Sequence, residues 1–175
     1  MIEIEEIDIE IPVYDINVES NHNFYANDIL VHNCQESYSN FKPSTVLEHT
    51  VEEENGEYKI IRETHAGVVH TCLVGETKIN VSINGIVSEE PIMDVISQIN
   101  DGATIYVKSY NHTTKEDEFE LIEAGKLMKV DSPLMRITAE DGVVIECTED
   151  HRIWTENRGY VEAQHLLKTD ILKMV

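Results

Sequence analysis

Residues 2–11 read Ile-Glu-Ile-Glu-Glu-Ile-Asp-Ile-Glu-Ile, an almost strict alternation of apolar and acidic side chains. Successive side chains of an extended strand point to opposite faces, so this period fits a strand with one buried face and suits no helix. The alternation slips at Glu5-Glu6, which predicts a bend there. Pro12 ends the run, because proline has no N–H to give to a ladder. Residues 13–18 resume the pattern, residues 19–23 form a polar turn, and a short strand over 29–31 leads into His32 and Asn33.

Strand signals return after Cys72. Residues 77–83 and 86–89 flank Asn84-Gly85, a strong hairpin turn. Residues 91–99 have helical spacing with a proline at the start, where its fixed φ suits a first turn. Further strands are expected over 103–110, 118–127, 133–139 and 143–147, with Asp141-Gly142 as a second hairpin turn; 161–167 reads as a short helix and 170–174 as a closing strand. Between the two regions, residues 34–71 are rich in Ser, Asn and acidic residues. Asn55-Gly56 could close a hairpin there, but the flanking alternation is poor, so 34–71 reads as a loop or weakly structured insert. Many short strands separated by turns argue for an all-β domain.

A chain of 175 residues with 41% hydrophobic content suffices for one compact domain with a modest core and a small appendage. It leaves no room for a two-domain enzyme with a large cofactor fold. The formal net charge is -21, from 34 acidic and 13 basic residues, which repels a nucleic-acid backbone. No apolar run approaches the roughly 20 residues that span a bilayer, and the N-terminus is acidic where a signal peptide would be basic. The expectation is a soluble cytoplasmic monomer that binds neither nucleic acid nor membrane. Cys34, Cys72 and Cys147 are too few and too irregularly spaced for a disulfide framework or a CxxC metal site, so neither metal nor cofactor is expected. Cys147 reads as buried packing, with a disulfide to Cys72 as the alternative.

The chemistry lies in two places. Asn33 is followed directly by Cys34; an Asn carboxamide can attack its own backbone carbonyl to form a succinimide, and a neighbouring thiol can accept an acyl group. Together they suit a self-cleaving junction. The second place is Cys72-Leu73-Val74-Gly75-Glu76-Thr77-Lys78-Ile79.

Residues 13–19, 22–25 and 31–34 resemble the C-terminal splicing motifs of inteins. Residues 72–79 and 142–148, with His151 and Thr155, resemble the N-terminal ones. The resemblance covers 1–33 and 72–175, with Glu76 where inteins more often carry Asp. The order is permuted: the Asn-bearing piece (1–33) precedes an extein-like insert (34–71) and the Cys-bearing piece (72–175). It implies one Hint domain, a horseshoe of β-strands shared with Hedgehog-type autoprocessing domains, built by self-association of the two pieces. No room remains for a homing endonuclease.

By the same resemblance, Cys72 attacks the carbonyl of Thr71 to form a thioester, helped by Thr148 and His151 of the TxxH motif. Cys34 then takes over the acyl group, and Asn33 cyclises. His22 and His32 are the implied helpers of that cyclisation, and Asp15 couples the steps by holding a proton near the Cys72 sulfur. The product would be residues 34–71 as a head-to-tail ring. A stalled single-chain precursor, held back by strain, a Cys34–Cys72 disulfide or a soft metal, is the alternative. A Hedgehog-type domain has no need of Asn33 and Cys34. His49, His65, His70, His112 and His165 lie outside the motifs and read as ordinary core or surface residues.

Overall fold

The computed structural model describes residues 1–8, 11–33, 46–52, 58–64, 72–128 and 134–175, with 46–52, 58–64 and Met128 described as backbone alone. The expected roles of Cys34 and Thr71, the strand ends at Ile9, Glu10 and Pro133, and the Asn55-Gly56 turn lie outside these residues. Among the described residues the fold is all-β, with one helix of more than one turn. Its strands are β1 (Glu3–Ile7), β2 (Val13–Val18), β3 (Asn23–Ala26), β4 (Ile29–His32), β5 (Val46–Glu52), β6 (Tyr58–Thr64), β7 (Leu73–Val74) and β8 (Lys78–Ile83). They continue with β9 (Ile86–Pro91), β10 (Ile105–Asn111), β11 (Glu116–Met128), β12 (Leu134–Thr138), β13 (Val144–Thr148), β14 (Arg152–Thr155) and β15 (Gly159–Glu162). The helix α1 spans Ile92–Asn100, and a 3-10 turn spans Ala163–His165.

All but β5 and β6 join one open antiparallel sheet in the order β1-β12-β13-β7-β2-β11-β10-β8-β3-β4-β14-β15, with β9 also on β8. The long strand β11 turns the corner. Its first half pairs with β10 and its second half with β2, and between them the register slips so that Ile122 faces Val18 but Ala124 faces Asn17. Glu123 is the extra residue of a β-bulge, which bends a strand and sharpens its twist.

Of the core residues, Ile2, Ile16, Val18, Leu73 and Cys147 belong to the main cluster, whereas Ile7, Val13, Cys72 and Leu134 form a smaller one on the opposite face of the same strands. This explains the slip at Glu5-Glu6. β1 pairs with β12 without interruption from Glu3–Thr138 to Ile7–Leu134, so the expected bend does not break the ladder. Instead, the slip lets Ile2 serve one core and Ile7 the other.

The hairpin turns have the dihedrals that their residues favour. Asn84 and Gly85 have φ of 53° and 81°, and Asn27 and Asp28, between β3 and β4, have φ of 47° and 64°. Positive φ at both central residues is the type I′ turn whose twist matches that of paired strands. Strand β3 was not expected from the sequence, whose polar turn over 19–23 reaches only its first residue. Ile92, Val95, Ile96 and Ile99 give α1 one apolar face at helical spacing, and its first three members are buried. That face meets β11 at Gly125, where an added Cβ would come within 2.5 Å of Ile96 Cγ1.

Three expectations are corrected. Residues 46–52 and 58–64 pair as a two-stranded antiparallel sheet from Val46–Thr64 to Glu52–Tyr58, so part of the insert is regular. Residues 161–167 are not a continuous helix: Val161 completes β15 and only one 3-10 turn follows. The closing segment makes single bridges, Thr155–Leu172 and Ile29–Met174, in place of a full strand. Asp170 anchors it, accepting from Arg158 Nε at 2.8 Å and from the Leu167 N–H at 2.7 Å. The Arg158 bond, assisted by Leu167 and Asn157, pulls the Asp170 carboxyl down to about 2. No helix among the described residues is long and apolar enough to cross a membrane.

Candidate functional site

Cys72 sits immediately before β7, in the middle of the first half of the sheet, and is fully buried. Its main chain is held by one neighbour on both sides: the Cys72 N–H donates to Thr148 Oγ1 at 3.1 Å, and the Thr148 N–H donates to the Cys72 carbonyl at 3.0 Å. On the other flank, β2 pairs with β7 as Val13–Val74 and Tyr14–Leu73, and the next step of that register sets Asp15 opposite Cys72. Cross-strand partners share a face. Thr148, Cys72 and Asp15 therefore lie in one row on the small-core face, continued by Leu134 and Ile7 on one side and Lys126 on the other.

Asp15 and Thr148 are 7% and 1% exposed, so a carboxylate and a hydroxyl are both buried beside the thiol. His151 is buried in the turn after β13; its N–H donates to the Thr148 carbonyl at 3.1 Å, and its carbonyl accepts from the Ala163 N–H at 2.8 Å. The sequence spacing Thr-x-x-His thus becomes one tight turn.

The same pleat decides the alternative for Cys147. Cys147 pairs with Leu73, and both face the main core, whereas Cys72 faces the small one. Side chains on opposite faces of a sheet cannot form a disulfide without backbone movement. Burial and the nearby Asp150 and Glu146 carboxylates push the Cys147 thiol well above its usual range, so it packs as a neutral side chain.

Asn33 lies at the far end of β2. Its N–H donates to the His22 carbonyl at 2.9 Å. Its carboxamide nitrogen donates to the Val18 carbonyl at 3.2 Å and to Asn17 Oδ1 at 3.3 Å. Asn17 and Asp15 alternate onto the same face of β2, about 7 Å apart at the ordinary strand rise. The Asn33 carboxamide therefore lies on the Cys72 face. His32 is buried, and its Nδ1–H donates to the Asn33 carbonyl at 2.5 Å, which fixes the tautomer because a carbonyl can only accept. His22 adopts φ 53° in the turn between β2 and β3, and its Nδ1–H donates to the Val18 carbonyl at 3.2 Å.

Behind His32 is an aromatic wall. Tyr160 meets His32 edge-on at 4.9 Å, and the His112 ring lies within hydrogen-bond reach of the Tyr160 hydroxyl at 3.0 Å and packs on Trp154 at 4.3 Å. Burial, then the neighbouring Lys173 and His32, lowers the His112 pKa. His112 is thus a structural neighbour of the site, although it lies outside every motif in the sequence. Asn17 and Tyr160 were missed as well. Each sits on a strand as a polar-tipped residue like many others, and only the fold brings them to Asn33 and His32.

Beside His22, Asn21 donates to Glu118 Oε1 at 2.8 Å, and this bond with that from Asn111 lowers the Glu118 carboxyl. Burial, then the Glu118 and Glu19 charges, raises the Glu120 carboxyl. Among the described residues no three His, Cys, Asp or Glu side chains converge as a metal site. No protein-family model and no curated protein sequence matches the chain.

Proposed function

We propose that the chain splices itself, excising residues 34–71 as a backbone-cyclised peptide, and that its open β-sheet is a Hint-type horseshoe formed by 1–33 together with 72–175. The observation that carries this reading is the row Asp15, Cys72, Thr148, with the Asn33 carboxamide on the same face. An inert amide becomes reactive when its attacker is held close to the carbonyl carbon and a proton can be delivered to the leaving nitrogen. The Thr148 hydroxyl engages the nitrogen of the Thr71–Cys72 peptide, the bond that has to break.

In the first step the Cys72 sulfur attacks the Thr71 carbonyl carbon, the C–N bond breaks, and the nitrogen takes a proton to become the Cys72 amine. His151 is the donor for that proton, and Asp15 holds one for the Cys72 sulfur. The Cys34 sulfur next attacks the thioester and releases the Cys72 thiol. The Asn33 carboxamide nitrogen then attacks its own backbone carbonyl carbon. The C–N bond to Cys34 breaks, and the proton lost by the carboxamide is balanced by the one gained on the Cys34 nitrogen. The His32 contact is with the carbonyl oxygen, so its part is to stabilise the developing negative charge there. His22 orders the same corner through Val18. An S-to-N shift of the released thioester finally joins Thr71 to Cys34 through an ordinary amide.

Intact mass spectrometry after incubation with a reductant tests the scheme. The expected products are a ring of residues 34–71, one water lighter than the linear peptide, and two fragments that remain associated. Asn33→Ala should retain thiol-dependent cleavage before Cys72 and make no ring, and Cys72→Ala should make no thioester. An unchanged mass for the unsubstituted chain, or a ring from Asn33→Ala, would sink the proposal.

A further inference from the structure

Asn33 needs a carboxamide nitrogen that is both aimed and made more nucleophilic, and a side chain outside the motifs stands against it. Asn17 Oδ1 accepts from the Asn33 nitrogen at 3.3 Å, and Asn17 Nδ2 donates to Glu123 Oε2 at 2.8 Å. Glu123 is the bulge residue of β11, present between Ile122 and Ala124 where β2 offers only one step from Val18 to Asn17. Bulges next to reactive sites re-aim a side chain, and this one directs a carboxylate across the ladder to the Asn17 amide.

We infer that Asn17 and Glu123 form a relay that activates the Asn33 carboxamide for cyclisation. The chemistry follows from amide resonance. A carboxylate accepting from the Asn17 N–H draws electron density toward Asn17 Oδ1 and makes that oxygen a better acceptor. A stronger acceptor on one Asn33 N–H leaves more density on the nitrogen. The Val18 carbonyl takes the other N–H at 3.2 Å, so both hydrogens are engaged and the plane of the carboxamide is set. Asn17 touches the reacting nitrogen directly. Glu123 acts through Asn17 and is a positioning residue. No new bond forms in the relay, and the proton balance of cyclisation is unchanged.

The inference rests on the splicing reading, and the experiment separates the two. In the full-length chain under reductant, two rates are followed by intact mass: thiol-dependent cleavage before Cys72, and release of fragment 1–33 ending in a succinimide. Asn17→Ala should slow the second rate about tenfold and Glu123→Gln about threefold, the scale of one charge-assisted hydrogen bond or less, while the first rate stays at its original value. The double variant should be no slower than Asn17→Ala alone, because Glu123 has no route to Asn33 except through Asn17. Succinimide release at the original rate in both single variants would overturn the relay and leave splicing standing. Equal slowing of both rates would mark the pair as merely structural and overturn it too. Additive losses in the double variant would show that Glu123 acts independently of Asn17. If the unsubstituted chain does not process at all, the splicing reading itself fails and takes the relay with it. Glu123 is exposed, so Glu123→Gln should fold even where Asn17→Ala does not.

Discussion

Thr148 is the residue on which the Cys72 side of the site turns. Its hydroxyl is the acceptor for a fully buried main-chain N–H, so it has a structural duty whatever the reaction is. Thr148→Val keeps the shape and removes the oxygen. Leaving a buried donor without that acceptor should cost about 1–3 kcal/mol of stability, read from denaturant unfolding. Thiol-dependent cleavage before Cys72 should fall about a hundredfold, the scale of losing one preorganised donor or acceptor at a reacting amide. Retention of the original cleavage rate would remove Thr148 from the chemistry and leave only its packing role. Cys72, Thr148, His151, Asp15 and Asn33 are singled out in the sequence only by the resemblance of their motifs to those of inteins. Asn17 is not, since a polar residue alternating outward on a strand looks the same whether it faces water or a reacting amide.

Among the elements, β11 shows where a one-dimensional reading stops. Its alternation, Glu118-Phe119-Glu120-Leu121, breaks at Leu121-Ile122, one step before the bulge at Glu123. The signal was present, but a slip in alternation can mean a bend, a bulge or a change of buried face. In β1 the same kind of slip means the change of face. The short strands β3 and β14 were missed because their four residues, Asn-Phe-Tyr-Ala and Arg-Ile-Trp-Thr, carry neither a continuous apolar run like that of β4 nor enough length for a period. The I′ turn of Asn27-Asp28 was the legible clue to β3. Contact between β11 and α1 depends on Gly125, since any side chain there meets Ile96. Gly125→Val should cost about 1–3 kcal/mol through overpacking, measurable as a fall in the denaturation midpoint with an unchanged slope. No change in midpoint would mean that α1 is free to move off the sheet.

At the scale of the whole molecule, the charge of -21 sets the sheet against itself. Self-repulsion of this kind is screened once the Debye length falls from about 30 Å at 0.01 M salt to a few ångströms near 1 M. The thermal midpoint should therefore rise by several degrees over that range, and a flat profile would mean that the acidic side chains are already neutralised locally. The all-β class was legible because alternation and turn residues act locally. The strand order was not, because it depends on which distant strands share a core.

That order has a further consequence. Apart from the β3–β4 hairpin, each ladder made by the described residues of 1–33 is with a strand that comes after residue 72: β1 with β12, β2 with β7 and β11, β3 with β8, β4 with β14. On the ribosome, the first thirty-three residues leave the exit tunnel before any of those partners has been translated. They can pair only stepwise as those partners emerge, and the last ladder, β4 with β14, waits for Arg152–Thr155. Translation itself is therefore the clock: the row through Thr148 cannot close before β13 is made, nor the corner at His32 and Tyr160 before β14 and β15 are.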